Sequence, residues 1–320
     1  MQNGDDDQGR RRKEEGGVAG SGAAPISTVG LSKHYGRVPA LSDLNLDVAP
    51  GEVFGFLGLN GAGKTTTIRL LLDLIRPSGG RALVFGRDCR TQSLAVRRSI
   101  GYLPGESAFY PDVTGAQVLR LLERVGGRPV DPAWRAELLE RFDLPERDLT
   151  RRIRDYSTGM KRKLAIVQAI QHDPPLLILD EPTEGLDPLM QEAFYALLRD
   201  LTARGRTVFL SSHVLSEVER VCDRVAVLRA GRLALLASID GLRALAPRRV
   251  TITFSADVPR PGTLGEGVTV QAAGSRSWCL DVRGPLGPVV ARLATLPVED
   301  LDVREPRLED IVVRYYRGEA

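Results

Sequence analysis

The run Gly58-Leu59-Asn60-Gly61-Ala62-Gly63-Lys64-Thr65 matches the phosphate-loop pattern G-x-x-x-x-G-K-[ST] at every position. Glycines at 58, 61 and 63 let successive backbone N–H groups turn inward around an anion with no Cβ in the way. Lys64 adds a point charge for the terminal phosphates and Thr65 a hydroxyl for Mg²⁺, while a helix starting here would aim its positive end at the same anion. The flanks have the order this loop requires. Val53-Phe54-Gly55-Phe56-Leu57 is a short apolar run of buried-strand type, and Ile68, Leu71, Leu72 and Ile75 recur at helical spacing. Strand, glycine loop and helix together predict a nucleotide-binding α/β fold.

At 320 residues the chain has room for two domains and a full core. No apolar run approaches bilayer-spanning length, so a membrane role would draw its span from another chain. Cys89, Cys222 and Cys279 are far apart and form no C-x-x-C pair. They suggest neither a disulfide framework nor a zinc site, and suit a reducing cytoplasm. A net charge of +3, with arginines and acids well mixed, gives no electrostatic case for nucleic acid as a partner.

Residues 1–25 join Asp5-Asp6-Asp7, the basic Arg10 to Lys13 and a Gly/Ala/Ser tract with almost nothing to bury, the composition of a disordered tail. The Arg10-Arg11-Arg12 run lacks the apolar core that an export signal needs after it. Order is expected from Ile26, with apolar alternation at Ile26, Val29 and Leu31, then Leu41 to Val48 leading into the strand before the loop. Tyr35, taken alone, reads as a packing residue. Strands follow at 81–85 and 99–103. The capping box Thr114-x-x-Gln117 and the pair Asp131-Pro132 then open two helices, so a helical block of about residues 106–172 is inserted between strands.

Ser157 and Gly159 stand where a helix over 161–171 begins; by themselves they make a capped helix, whose N–H groups could also form a second anion site. Leu176-Leu177-Ile178-Leu179 reads as a buried parallel strand, with Asp180 and Glu181 at the edge where such sheets place ligands. Asp180 suits Mg²⁺, directly or through a water, and Glu181 suits polarising an attacking water. Gly185-Leu186-Asp187-Pro188 is a turn opening a helix to Ala203, and His213 falls just past the next strand, 207–211, on the same edge. His34 and His172 have no such context. Strands at 225–228 and 233–236 complete the nucleotide fold. Beyond a helical link at 238–247, strands at 249–254, 268–271, 277–282 and 300–304 with a helix at 286–296 predict a small α+β domain over 248–317.

In this order the motifs resemble the ATP-binding subunit of an ATP-binding-cassette transporter over about residues 26–240. The resemblance implies a P-loop cassette core of α/β class with an inserted helical subdomain, and assigns ATP and Mg²⁺ as its ligands. Tyr35 matches the aromatic that stacks on adenine. Gly58, Asn60, Gly61, Ala62, Gly63, Lys64, Thr65 and the following Thr66 match the Walker A loop, and Tyr156 to Met160 the signature, whose Ser157 and Gly159 address the γ-phosphate. Asp180 and Glu181 match Walker B and its catalytic glutamate, Asp187 the D-loop and His213 the switch histidine. Tyr156 to Lys161 and Pro306-Arg307-Leu308-Glu309-Asp310-Ile311 look like the single-cassette ATPases that pair with ABC-2-type permeases and export drugs, antibiotics or surface polymers.

What this implies is an ATPase at the cytoplasmic face of the membrane, peripheral, working with a permease on a separate chain and a second cassette, in a homodimer or a heterodimer. A soluble relative acting on ribosomes or DNA is the alternative, but such relatives carry two cassettes in one chain or a long coiled-coil insertion, and neither is present. Two departures stand out. Tyr156, Thr158 and Met160 replace the usual Leu, Gly and Gln of the signature, and Gly105 occupies the place of the Q-loop glutamine that contacts Mg²⁺. Glu106, next to it, is the candidate substitute as a metal ligand.

Overall fold

The computed structural model describes residues 22–245, 247–262 and 264–304, with Leu308, Ile311, Val312 and Tyr315. Most of the expected tail, and most of the Pro306–Ile311 stretch, lie outside the described residues. The chain opens with β1 (Ile26–Tyr35) and β2 (Val38–Val48), followed by β3 (Val53–Gly58), α1 (Lys64–Leu71), β4 (Gly79–Val84), β5 (Arg87–Asp88), α2 (Ser93–Arg98) and β6 (Ile100–Leu103). The helical block follows as α3 (Gly115–Gly126), α4 (Pro132–Arg141), the short α5 (Glu146–Leu149) and α6 (Thr158–Ile170). Then come β7 (Leu176–Asp180), α7 (Pro188–Ala203), β8 (Thr207–Ser212), α8 (Leu215–Val221), β9 (Arg224–Arg229), β10 (Arg232–Ser238) and α9 (Ile239–Leu245). The last elements are β11 (Arg248–Phe254), β12 (Val268–Ala273), β13 (Ser277–Val282), α10 (Gly287–Leu293) and β14 (Val298–Arg304).

The described residues form three sheets. The central one has the order β10-β9-β3-β8-β7-β6, and the pairings among β9, β3, β8, β7 and β6 are all parallel. Its inner strands β3, β8 and β7 are buried at every residue because both faces are covered. On β7, Leu177 and Leu179 pack toward the helical block while Leu176 and Ile178 pack toward the antiparallel sheet β2-β1-β4-β5. Gly55 on β3 is dictated by close packing: a Cβ there would lie 2.6 Å from Val218 Cγ1 of α8. The caps are as the sequence predicts. Thr114 and Gln117 make the reciprocal capping box of α3, and Asp131 accepts from the Ala133 amide at the start of α4.

The alternation expected at Ile26, Val29 and Leu31 is corrected by a bulge. Gly30 takes φ +58° where the β1–β2 register shifts, so Ile26, Thr28 and Leu31 are buried and Val29 faces solvent. The third sheet, β12-β13-β11-β14, carries α10 on one face over Val250, Ile252, Phe254, Trp278 and Leu280. Leu308 and Val312 do not join that core. They are buried in the core of the cassette that also takes in Ile239 and Leu242, on the cassette side of the boundary expected at residue 248. All three cysteines are free thiols.

Candidate functional site

Parallel register brings the ends of three strands to one edge: Leu57 of β3 stands beside Ser212 of β8, and Asp180 of β7 beside Ser211. The loop after β3 turns through Gly61 (φ +80°) and Gly63 (φ +111°) before α1 begins at Lys64. Gly63 admits no side chain, since a Cβ would lie 2.7 Å from the Ala40 carbonyl oxygen. Lys64 is 7% exposed, and its ammonium donates to the Gly58 carbonyl at 2.6 Å while lying 3.4 Å from Glu181 Oε1.

The carboxylates at the end of β7 are fixed by the neighbouring strand and by the loop. Thr65 Oγ1 donates to Asp180 Oδ2 at 3.3 Å, and Ser211 donates to the other oxygen of the same carboxylate. Glu181 takes a left-handed backbone, φ +46°, and its amide donates to Ser211 O at 3.0 Å. A non-glycine residue in that region is strained and persists where its surroundings hold it. The strain aims the side chain. Glu181 Oε1 faces Lys64, and Oε2 lies 2.9 Å from His213 Nδ1 and accepts the His213 amide at 3.3 Å.

Leu59, Asn60, Gly61, Ala62, Gly63, Lys64, Thr65, Thr66 and Arg69 line a cavity of about 650 Å³ with Pro104, Gly105, Glu106, Asp180, Glu181 and Glu184. Its charged lining comprises four carboxylates against Lys64 and Arg69, so a polyphosphate entering there needs a divalent cation to offset the repulsion. Asp180 and Thr65 offer adjacent oxygens at the floor. Such a pair fits Mg²⁺, which takes one or two protein oxygens and fills its octahedron with phosphate and water.

The other predicted residues are elsewhere. Tyr35 is 48% exposed at the end of β1, with the Lys33 ammonium 5.1 Å from its ring centre, and is not part of the cavity lining. Ser157 caps α6, accepting from the Met160 amide at 3.1 Å, and Asp187 caps α7, accepting from the Met190 amide at 3.0 Å. Gly159 lies against Gly185, a Cβ on it falling 3.6 Å from the Gly185 carbonyl oxygen. Neither Ser157, Gly159 nor Asp187 reaches the cavity of its own chain. Tyr156 has a structural role: its hydroxyl donates to Asp148 O at 2.7 Å and occupies the space where Gly115 has no side chain. At Gly105 a Cβ would lie 3.7 Å from Asp180 Oδ2, so a side chain at this position would extend beside that carboxylate. Glu106 is exposed on the cavity lining.

Sequence reasoning missed Arg162. It is 4% exposed in the second turn of α6, and its guanidinium donates to the carbonyls of Pro104 (2.8 Å), Gly105 (2.9 Å), Pro182 (3.0 Å), Asp180 (3.2 Å) and Glu181. Burial pulls its pKa below the ordinary arginine value, with Glu184, Asp180 and Glu181 acting in opposition. The available signal was its place on the buried stripe Arg162, Ala165, Ile166, Ala169, where a charge is out of pattern.

Comparison with known proteins agrees with this geometry. The profile of the ABC transporter family matches residues 41–184. The chain is 35% identical to the daunorubicin resistance ATP-binding protein DrrA3 of Streptomyces coeruleorubidus, over 89% of this chain and 94% of that one. It is 38% identical to the bacitracin transport ATP-binding protein BcrA of Bacillus licheniformis, over 68% and 71% of the two chains. A solved ATP-binding subunit of an ABC transporter superposes with a TM-score of 0.64 at 34% identity, covering 68% of this chain and 91% of that structure. The chain belongs to the ABC transporter family, as an ATP-binding and ATP-hydrolysing subunit that powers transport.

Proposed function

We propose that this subunit drives export of a drug- or antibiotic-like cargo through a separate membrane permease, sitting peripherally on the cytoplasmic face of the membrane. The reading of cargo class follows the names of the relatives, one conferring daunorubicin resistance and another transporting bacitracin. One observation carries the permease: an apolar groove of about 990 Å³ runs between α2 and α3, and Leu94, Tyr110, Leu121 and Val125 on its rim are each more than half exposed. Large apolar side chains left exposed along one groove suit an interaction site, and an amphipathic helix of a permease fits it. Among the described residues no helix is long and apolar enough to cross a membrane.

In the reaction, Gly58 to Thr66 hold the phosphates of ATP and Lys64 stabilises charge on the transferring phosphoryl group. Thr65 and Asp180 would hold Mg²⁺, with Glu106 in the place of the missing Q-loop side chain, and the ion would supply charge neutralisation at the terminal phosphates. Glu181 orients the attacking water and takes its proton, and His213 holds Glu181 in line. Ser157, Gly159 and Asp187 serve the site of a second cassette, identical or closely related, because they cannot reach their own.

The test is affinity capture of tagged Glu181→Gln protein with ATP from native membranes, alongside the same protein carrying Leu121→Asp. A polytopic membrane protein retained by the first and lost by the second is the expected result. Retention of ribosomal or DNA-associated proteins, with no membrane protein, would replace transport by a soluble role.

A further inference from the structure

Two segments flank the end of β7, and one side chain bonds them both. The loop 104–107 faces the Asp180 carboxylate on one side, while Pro104 and Ser107 line the apolar groove on the other. The turn 180–182 carries Glu181 in its left-handed conformation. Neither segment is tied to the other by a side chain at position 105, since Gly105 has none. Arg162 fills that role from behind: Nη1 donates to Pro104 O and Gly105 O, Nε to Pro182 O, and Nη2 to Asp180 O and Glu181 O. A planar fork of fixed donors makes such a set of bonds mutually dependent, and an ammonium could not reproduce it. These five acceptors are backbone carbonyls, and a sixth, Ser107 Oγ at 3.5 Å from Nη1, lies on the same 104–107 loop, so the bonds fix the path of the chain and leave every carboxylate free for the cavity.

We propose that Arg162 is a positioning residue for hydrolysis, holding the strained Glu181 peptide in place and making that hold conditional on the 104–107 loop that borders the groove. This rests on the reading of Glu181 as the group that activates water. The geometry gives a direct route between groove and cavity: displacement of the Pro104 and Gly105 carbonyls takes bonds from the same guanidinium that anchors Glu181. The shift required is small. Glu181 Oε2 is 2.9 Å from His213 Nδ1, and a misplacement on the order of 1 Å at such a group can cost about 100-fold in rate.

The experiment compares Arg162→Gln, Arg162→Lys and Glu181→Gln in the full chain by steady-state ATP hydrolysis and hydrogen exchange. Both Arg162 variants should lose about 10- to 100-fold in kcat, with KM for ATP changed by no more than about 3-fold. Exchange should rise together in peptides covering 104–107 and 181–184, while the β3 and β8 peptides stay protected. A merely structural arginine would instead lower the melting temperature and raise KM without that split. If Arg162→Gln does not fold, Arg162→Lys decides the matter alone: it retains charge and length but not the fork, and wild-type kcat in it overturns the proposal. Exchange that rises in one segment without the other also overturns it. Near-normal turnover in Glu181→Gln refutes the underlying assignment of Glu181; a dead Glu181→Gln beside fully active Arg162 variants refutes this inference alone.

Discussion

Replacing Glu181 by Gln keeps the size of the side chain and its reach, and removes the charge and the basicity. The carboxylate stands 3.4 Å from Lys64 Nζ and 2.9 Å from His213 Nδ1, and its backbone is held in a region that only firm anchoring maintains. An amide can still lie between those partners but cannot accept a proton from water. Loss of a positioned general base costs about 10²- to 10⁴-fold, which is about 2.7–5.4 kcal/mol of barrier at 1.36 kcal/mol per decade. Binding should respond differently. Lys64 retains its 2.6 Å bond to Gly58 O, and the cavity loses one of its four carboxylates, so repulsion of the triphosphate falls. Phosphate release under saturating MgATP should therefore collapse, while the ATP dissociation constant from titration calorimetry stays the same or tightens. Lys64→Ala should do the reverse, weakening binding itself. Turnover in Glu181→Gln within a few-fold of wild type would refute the role, and a loss of ATP affinity as large as the loss of rate would refute the separation of the two groups.

Gly115→Ala would place a Cβ 2.3 Å from the Tyr156 hydroxyl and should cost about 1–3 kcal/mol in chemical denaturation; the pair Gly115→Ala with Tyr156→Phe should cost less than the sum of the two, and strict additivity would contradict the packing described. Burial holds the His172 imidazole below the ordinary histidine value of 6.5, so the unfolded chain takes up the proton first. The stability of the neutral form is then complete above pH 6.5 and is lost as pH falls toward the depressed folded value, with a slope of up to about 1.4 kcal/mol per pH unit. His172→Gln should remove that slope, and an identical pH profile would show it has another source. Gly105→Gln puts its Cβ in ordinary contact with Asp180 Oδ2 and should fold normally while lowering the Mg²⁺ needed for half-maximal turnover, whereas Glu106→Ala should raise it; unchanged Mg²⁺ dependence in both would remove this loop from the metal site.

The cassette was legible where local chemistry and burial agree. The phosphate loop, the β7 run with its two carboxylates, and the caps at Thr114, Asp131 and Asp187 all occur where their residue types predict. What was lost lies below the length at which periodicity speaks. β5 has two residues, and α2 has six with Val96 as its buried contact. α8 has Leu215, Val218 and Val221 at threefold spacing, but its seven residues give fewer than two full repeats and drew no expectation. Val29 was misplaced because Gly30 inserts an extra residue, and a bulge reverses every inside–outside assignment beyond it. Arg162 was missed for a different reason: its nearest partners are backbone carbonyls, which leave no mark in a sequence, and its one sign is a charge on the buried face of α6.

The placement of the signature gives α6 two tasks. Its first turn carries Ser157 and Gly159, exposed or half-exposed and outside the cavity of their own chain, with Gly159 packed on the Gly185 turn that leads to Asp187. These form one edge, whose N–H groups and helix dipole suit an anion, which on the proposed reading is the phosphate of ATP held by a second cassette. Five residues after Ser157 the same helix carries Arg162, bonded to the carbonyls behind Glu181. A helical turn is rigid on this scale, so on the proposed reading a phosphate engaged at the start of α6 bears on the anchoring of the water-activating group in the same chain. Each cassette would thus sense its partner's ATP through the helix that holds its own Glu181, and would sense the permease through the 104–107 carbonyls bonded to the same guanidinium. Both inputs then meet at Arg162. Loss of this side chain should therefore reduce cooperativity in ATP concentration as well as rate, which a titration of hydrolysis by Arg162→Lys against wild type would read in its Hill slope.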